Sequence, residues 1–156
     1  TALVRLRAMP EGGAHVITAL VMAFSADSFA YFAGRACGKH KLAPVISPHK
    51  TVEGAAGGVV GSVALMLLYA LVLRRLGAPV RWGAAAVYGV LGAFASMLGD
   101  LTFSVIKRQT GIKDYGNLLP GHGGILDRFD SMIVVAPLTE ILVRLLPFFE
   151  GTMKLR

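Results

Sequence analysis

Apolar residues dominate four long stretches of the chain, with few polar positions inside them. The stretches run over residues 14–33, 57–73, 82–103 and 131–149. Each is about as long as the roughly 20 residues that a helix needs to cross a hydrocarbon core of about 30 Å. The second stretch lacks the polar stripe that a helix of a soluble bundle would show. The pattern predicts an all-α bundle with about four membrane-spanning helices, in one membrane-embedded domain over residues 1–156.

Three loops between these stretches carry most of the charge. They cover residues 34–54, 74–81 and 107–130. If all four stretches span, the first and third loops share one membrane face and the second lies on the other. Lysine and arginine usually mark the cytoplasmic side, but eight of them fall on the first face and seven on the second. The positive-inside rule therefore leaves the orientation open.

The composition is typical of a membrane protein rather than of a soluble or disordered one. Hydrophobic residues make up 54% and charged residues 16% of the 156 residues, whereas a soluble domain carries about 25% charge. A net charge of +7 on so apolar a chain argues against disorder and against a free DNA-binding protein. We therefore expect no nucleic-acid partner. The single Cys37 excludes an internal disulfide.

Four charged residues lie inside the apolar stretches, where an ionisable group needs a physical reason. Glu140 and Arg144 are four residues apart, which predicts that they neutralise each other on one helix. Asp27 and Asp100 lack such a partner, and each lies roughly 10–12 Å below the face with the first and third loops. We expect a shared polar cavity open to that face. The alternative is that each acid pairs with a base from a neighbouring helix.

The third loop has the composition of a site for a metal ion and phosphate groups. The site begins on the helix that leads into this loop, where a carboxylate, a hydroxyl and two cations lie at helical spacing, namely Asp100, Ser104, Lys107 and Arg108. It continues through Lys113 to a glycine turn around His122, in which Gly123 and Gly124 permit close backbone approach to a ligand. Asp127 and Asp130 then share a face of the fourth helix. Hard oxygen ligands beside cations suit Mg²⁺ that is shared with substrate phosphates.

The first loop supplies a second polar cluster just before a predicted helix. Its hydroxyl and ammonium groups come from Ser47, Lys50 and Thr51. Backbone amides at a helix start, together with these side chains, predict a cradle for a triphosphate.

Three blocks of residues together resemble a known family. The longest has the pattern Ser104-x-Ile106-Lys107-Arg108, Lys113-Asp114-x-Gly116 and Pro120-x-His122-Gly123-Gly124-Ile125-x-Asp127-Arg128-Phe129-Asp130. The other two are Asp27-Ser28-x-Ala30-Tyr31-x-x-Gly34-Arg35 and Ser47-Pro48-x-Lys50-Thr51-x-Glu53-Gly54. This pattern resembles the signature of the phosphatidate cytidylyltransferase (CDP-diacylglycerol synthase) family over about residues 20–150. Family members usually have further helices before the block with Asp27, so the chain is expected to be the C-terminal catalytic portion.

The resemblance implies a nucleotidyltransferase that makes CDP-diacylglycerol and pyrophosphate from CTP and phosphatidic acid. It implies catalytic roles for Asp100, Asp127, Lys113, His122 and Arg128. Substrate contacts are expected from Ser47, Lys50, Thr51, Ser104, Lys107, Arg108, Gly123 and Gly124. The expected cofactor is Mg²⁺ on Asp100 and Asp127, assisted by Asp130 or Asp27, and a second cation such as K⁺ is left open.

The same resemblance orients the chain in a bacterial-type inner membrane. Because CTP is cytosolic, the first and third loops are expected to face the cytoplasm, and phosphatidic acid is expected from the membrane itself. The glycine-rich spans favour close helix contacts, from which we also expect a homodimer.

Two other functions fit part of the pattern. A sister enzyme, such as a CTP-dependent polyprenol kinase or an archaeal-lipid cytidylyltransferase, would keep the nucleotide site and change the lipid. A non-catalytic membrane subunit or transporter would instead use the buried acids for ion passage.

Overall fold

The computed structural model describes residues 2–112, 115 and 126–150. A short helix is followed by a long one, a small β-hairpin and three more long helices. Their bounds are α1 Ala2–Ala8, α2 Gly12–Cys37, β1 Lys41–Ala43, β2 Ser47–Thr51, α3 Val52–Arg75, α4 Trp82–Thr110 and α5 Leu126–Leu145. The fold is a helical bundle, which confirms the predicted class.

Three of the helices are long and apolar enough to cross a membrane. They are α2, α3 and α4, with mean hydropathies of 1.6, 2.2 and 1.6 over their most apolar windows. Only about a third of the residues in each of these apolar segments are buried inside the chain. The remaining apolar surface is what a helix in lipid presents, so the chain is a membrane protein.

Helix α5 corresponds to the fourth predicted span but differs from the other three in its charge. Its 20 residues include five charged ones, Asp127, Arg128, Asp130, Glu140 and Arg144, and it holds Pro137. On the residues that the structure describes, α5 is not among the helices that are long and apolar enough to cross a membrane. It nevertheless packs along α4 and α2, so it completes the bundle.

Small residues let the helices approach closely. A Cβ placed on Gly89 of α4 would lie 2.6 Å from the Cα of Val63 on α3, nearer than real side chains come. Gly57 and Gly61 of α3 lie in the same way against Ala33 and Phe29 of α2. These glycines, on which the expectation of a homodimer rested, therefore face helices of their own chain. The homodimer stays a prediction.

The bundle end away from the hairpin is held by paired charges and aromatic rings. Arg144 Nη2 donates to Glu140 Oε1 at 3.1 Å, which confirms the predicted pair. Arg5 of α1 lies 3.5 Å from the same oxygen, so α1 is tied to α5. Beside them, Phe148 is fully buried between Tyr88 and Phe149.

The first predicted loop contains more regular structure than its sequence indicated. Helix α2 continues to Cys37, and β1 pairs antiparallel with β2, with Lys41 opposite Thr51 and Ala43 opposite Ser47. Similarly, α4 continues to Thr110, where Gly111 ends it with φ of 70°. The hydrophobic pattern did not predict these extensions because their residues are polar. At this end of the bundle the helix ends and the hairpin lie outside the apolar region.

The close approach at Gly89 makes a prediction about stability. Gly89→Ala should lower the free energy of unfolding by about 1–3 kcal/mol, because the new methyl group overpacks against the α3 backbone. Gly83→Ala is the matched control on the same helix, since nothing lies within 4 Å of its added Cβ. Thermal unfolding in detergent measures both. Equal melting temperatures for the two variants would contradict the tight α3–α4 contact.

Candidate functional site

A cavity of about 640 Å³ lies at the end of the bundle where α2 ends, α3 begins and α4 ends. This volume is typical of a site for a small molecule or cofactor. The hairpin forms one of its walls, through Leu42, Ile46 and β2. Eight of the predicted site residues line it: Asp27, Ser47, Lys50, Thr51, Asp100, Ser104, Lys107 and Arg108. The expected shared cavity of Asp27 and Asp100 is therefore present.

An ion pair joins the hairpin to α4 inside this cavity. Lys50 Nζ of β2 lies 2.5 Å from Asp100 Oδ2. This pair agrees in part with the alternative that each acid meets a base from elsewhere in the bundle, but the base comes from a strand rather than from a neighbouring helix. Ser104, one turn along α4, contacts the other oxygen of Asp100 at 3.5 Å. The predicted stripe on α4 thus faces the cavity.

Thr51 has a structural role that its sequence prediction did not include. It is the N-cap of α3, and its Oγ1 accepts a hydrogen bond from the backbone N–H of Gly54 at 3.1 Å. The partial positive charge of a helix N-terminus therefore points to the cavity wall, where it favours an anion. The predicted anion cradle before α3 is consistent with this geometry.

Two further cations at the cavity are held by specific contacts. Arg108 Nε donates to the backbone oxygen of Ile46 at 3.2 Å, which fixes the hairpin turn against α4. Lys107 Nζ lies 5.6 Å from the ring centroid of Tyr115. Together with Lys50, these cations line a single cavity, an arrangement suited to a ligand with several negative charges.

The sequence prediction missed other residues of the site. Arg35 and Tyr31 line the cavity, and Arg35 Nη1 donates to the Tyr31 hydroxyl oxygen at 3.1 Å. Both belong to a block that carries the family resemblance, which was the available signal. Glu53 accepts hydrogen bonds from the backbone N–H groups of Lys39 and His40 at 3.1 and 3.2 Å. It thereby holds the connection between α2 and the hairpin.

The acids differ in their surroundings. Asp27 accepts hydrogen bonds from Ser96 and Ser131 at 2.6 and 2.9 Å, which are hydroxyl groups on two other helices rather than the bases of the alternative. Asp130 of α5 is 6% exposed, and its Oδ1 accepts from the backbone N–H of Ser131, whose hydroxyl donates to Asp27. Ser131 thus links Asp27 to Asp130, and Asp27 shares the cavity wall with Asp100.

The fit of these residues to Mg²⁺ can be judged on their oxygen atoms. Among the side chains that the structure describes, which leave out that of Asp127, no three acidic, histidine or cysteine groups are placed to hold one metal ion. Asp100 and Ser104 do offer two hard oxygen donors at the cavity wall. Because Mg²⁺ is usually held by one or two carboxylates together with substrate phosphates and water, this donor set fits the ion.

Several predicted site residues lie outside the part of the chain that the structure describes. These are Lys113, His122, Gly123 and Gly124. Asp127 and Arg128 belong to the first turn of α5, but their side chains are also outside it. Their predicted roles stay predictions.

Known proteins match most of this chain. The model of the cytidylyltransferase family matches residues 1–146. The phosphatidate cytidylyltransferase of Bacillus subtilis is 44% identical over 134 residues, which is 86% of this chain and 49% of that protein. Those of Staphylococcus saprophyticus and Staphylococcus aureus are 45% and 44% identical, each over 85% of this chain and 50% of the relative. The chain thus spans about half the length of these relatives.

The ion pair makes a prediction for a double-mutant cycle. Lys50→Met and Asp100→Asn should each destabilise the fold, because each leaves a half-buried charge without its partner. The double variant should lose less than the sum, with a coupling energy of about 1–2 kcal/mol. Thermal or denaturant unfolding in detergent measures the cycle.

An exposed pair provides the control for this cycle. Arg81 and Glu150 lie 3.9 Å apart with most of Glu150 in solvent. Arg81→Met and Glu150→Gln should therefore couple by less than about 0.5 kcal/mol. Additive effects at Lys50 and Asp100 would contradict the ion pair.

Proposed function

This chain belongs to the cytidylyltransferase family, and on that basis we propose that its cavity transfers a cytidylyl group from CTP to phosphatidic acid. The products are CDP-diacylglycerol and pyrophosphate, which makes the protein an enzyme of phospholipid synthesis. The relatives that carry the name phosphatidate cytidylyltransferase support this choice of substrates.

One observation supports the proposal above the others: described residues from all three blocks meet in one cavity, with Lys50, Lys107 and Arg108 at its walls. A triphosphate carries several negative charges in a small volume, and a phosphate-bearing lipid adds more. Cations brought together from β2 and α4, beside the N-terminus of α3, balance that charge. An apolar cavity without them would not bring two anions together.

The chemistry required of the protein is mainly positioning. An oxygen of the lipid phosphate attacks the α-phosphorus of CTP, and the bond from that phosphorus to the bridging oxygen of the pyrophosphate breaks. Lys107 and Arg108 stabilise charge on the phosphates, because fixed cations need no reorganisation during transfer. Lys50 and the α3 N-terminus orient the nucleotide. Holding both phosphates in line lowers the entropic part of the barrier.

Mg²⁺, when bound, supplies charge neutralisation for the phosphates. Asp100 and Ser104 would hold it, and Asp127 and Asp130 of α5 are proposed to contribute as well. A second cation such as K⁺ remains an extension of this proposal.

The location of the substrates orients the protein. CTP is dissolved in the cytoplasm, whereas phosphatidic acid lies in the bilayer with its phosphate at the surface. A cavity at one end of apolar helices α2, α3 and α4 is accessible to both. We therefore place the hairpin end of the bundle on the cytoplasmic side of a bacterial inner membrane.

A substitution of Lys107 tests the proposed activity. Purified protein with Mg²⁺, CTP and phosphatidic acid should release pyrophosphate and form CDP-diacylglycerol. Lys107→Gln should lower kcat/KM for CTP by about 100-fold, because it removes a fixed charge from the transferring phosphates. Arg75→Gln removes an exposed cation at the opposite end of the bundle and should leave kcat/KM unchanged.

The products distinguish the rival functions. Transfer of a phosphate from CTP to a polyprenol would release CDP instead of pyrophosphate and would contradict the proposal. Preference for an archaeal ether-lipid phosphate over phosphatidic acid would indicate that the protein is an archaeal-lipid cytidylyltransferase instead. Mg²⁺-dependent CTP binding would exclude a transporter or subunit that never binds nucleotide.

A further inference from the structure

Asp27 connects three helices at the wall of the cavity. It belongs to α2, and its Oδ1 accepts a hydrogen bond from Ser96 Oγ of α4 at 2.6 Å. Its Oδ2 accepts another from Ser131 Oγ of α5 at 2.9 Å. Both carboxylate oxygens are therefore used, each by a different helix. Among the described residues, this is the side chain whose hydrogen bonds join α2, α4 and α5 together.

The two serines lie one helical turn from the acids of the proposed reaction. Ser96 precedes Asp100 by four residues on α4, and Ser131 follows Asp127 by four residues and Asp130 by one on α5. Because a helix is stiff over one turn, fixing the two serines fixes the backbone positions of these acids relative to one another.

Helices α4 and α5 are closely packed at the level of Ser131. A Cβ on Gly99 of α4 would lie 3.0 Å from the Cα of Ser131 on α5. Ser131 is itself 1% exposed and its N–H donates to Asp130 Oδ1 at 2.7 Å. A shift of α5 against α4 would therefore disturb both the close contact of Gly99 with Ser131 and the hydrogen bond from Ser131 to Asp27.

From this geometry we propose that Asp27 is a positioning residue, which sets the spacing between Asp100 on α4 and the acids at the start of α5. It replaces the expectation that Asp27 assists in holding the metal ion. The inference rests on the proposed function for its kinetic consequences, whereas its structural consequence can be measured without turnover.

The two hydrogen bonds of Asp27 allow an experiment to distinguish a positioning residue from a metal ligand. A metal ligand needs its negative charge, whereas the two hydrogen bonds of Asp27 are ones that an uncharged amide can also make. In Asp27→Asn, the amide oxygen accepts from one serine and the amide N–H₂ donates to the other hydroxyl. In Asp27→Ala both bonds are lost.

The kinetic test compares these two variants over a range of Mg²⁺ concentrations. Asp27→Ala should raise the Mg²⁺ concentration for half-maximal rate by about 10-fold and lower kcat by about 100-fold, because misplacement by about 1 Å has such an effect. Asp27→Asn should stay within about threefold of the original protein for both quantities. Ser131→Ala and Ser96→Ala should each fall between them, and they keep the test usable where Asp27→Ala does not fold.

A matched control removes a similar bond elsewhere. Ser25 Oγ donates to Ser62 Oγ at 3.1 Å and joins α2 to α3 in the buried core. Ser25→Ala should lower thermal stability without changing the Mg²⁺ dependence. If Ser25→Ala changed the Mg²⁺ dependence as much as Ser131→Ala does, the effect would come from general loosening of the bundle. The positioning role of Asp27 would then be contradicted.

Pulsed electron paramagnetic resonance provides the readout that needs no activity. Spin labels on Leu98→Cys and Ile133→Cys, in a Cys37→Ser background, report the spacing of α4 and α5 from two exposed positions. Asp27→Ala should broaden or shift this distance distribution, and Asp27→Asn should preserve it. An unchanged distribution in Asp27→Ala would overturn the proposal, as would Asp27→Asn with activity as low as Asp27→Ala. Absence of cytidylyl transfer in the original protein would overturn only the proposed function.

Discussion

The ion pair between Lys50 and Asp100 is the contact on which the polar end of this bundle depends. An isolated ammonium or carboxylate is strongly disfavoured beside hydrocarbon, so each would be excluded from an apolar wall without the other. Their 2.5 Å contact holds the hairpin against α4 and keeps both groups at the cavity. The hairpin has only two short strands, and such a hairpin is marginal by itself. Its placement therefore relies on Lys50, on Arg108 and on the cap at Thr51.

Close helix packing provides the second condition for the site. Gly89 and Gly99 of α4 allow the backbones of α3 and α5 to come within contact distance. Helices at this spacing bring short side chains such as Asp27, Ser96 and Ser131 within hydrogen-bond range. In a membrane there is little hydrophobic drive between helices, so van der Waals contact and such hydrogen bonds must hold them together. The same packing thus stabilises the bundle and positions its acids.

The local sequence was a good guide to helices and to residue chemistry. Long apolar runs predict α2, α3 and α4, because spanning a membrane demands length and hydrophobicity that few other structures share. The stripe from Asp100 to Arg108 was also predictable, since helical spacing decides which side chains share a face. The hairpin and the short α1 were not predictable in this way, because polar segments of a few residues carry no distinct periodicity.

The sequence by itself determined which residue types this protein has available and on which stretches they lie: apolar spans, a basic and acidic helix face, and hydroxyl groups before α3. It also carried the blocks that place the chain in the cytidylyltransferase family. Only the tertiary structure decided the partners, which pair Asp100 with Lys50 and Asp27 with Ser96 and Ser131. The two serines lie 69 and 104 residues away from Asp27 along the chain. Periodicity describes neighbours on one element, whereas such pairs depend on how whole helices pack.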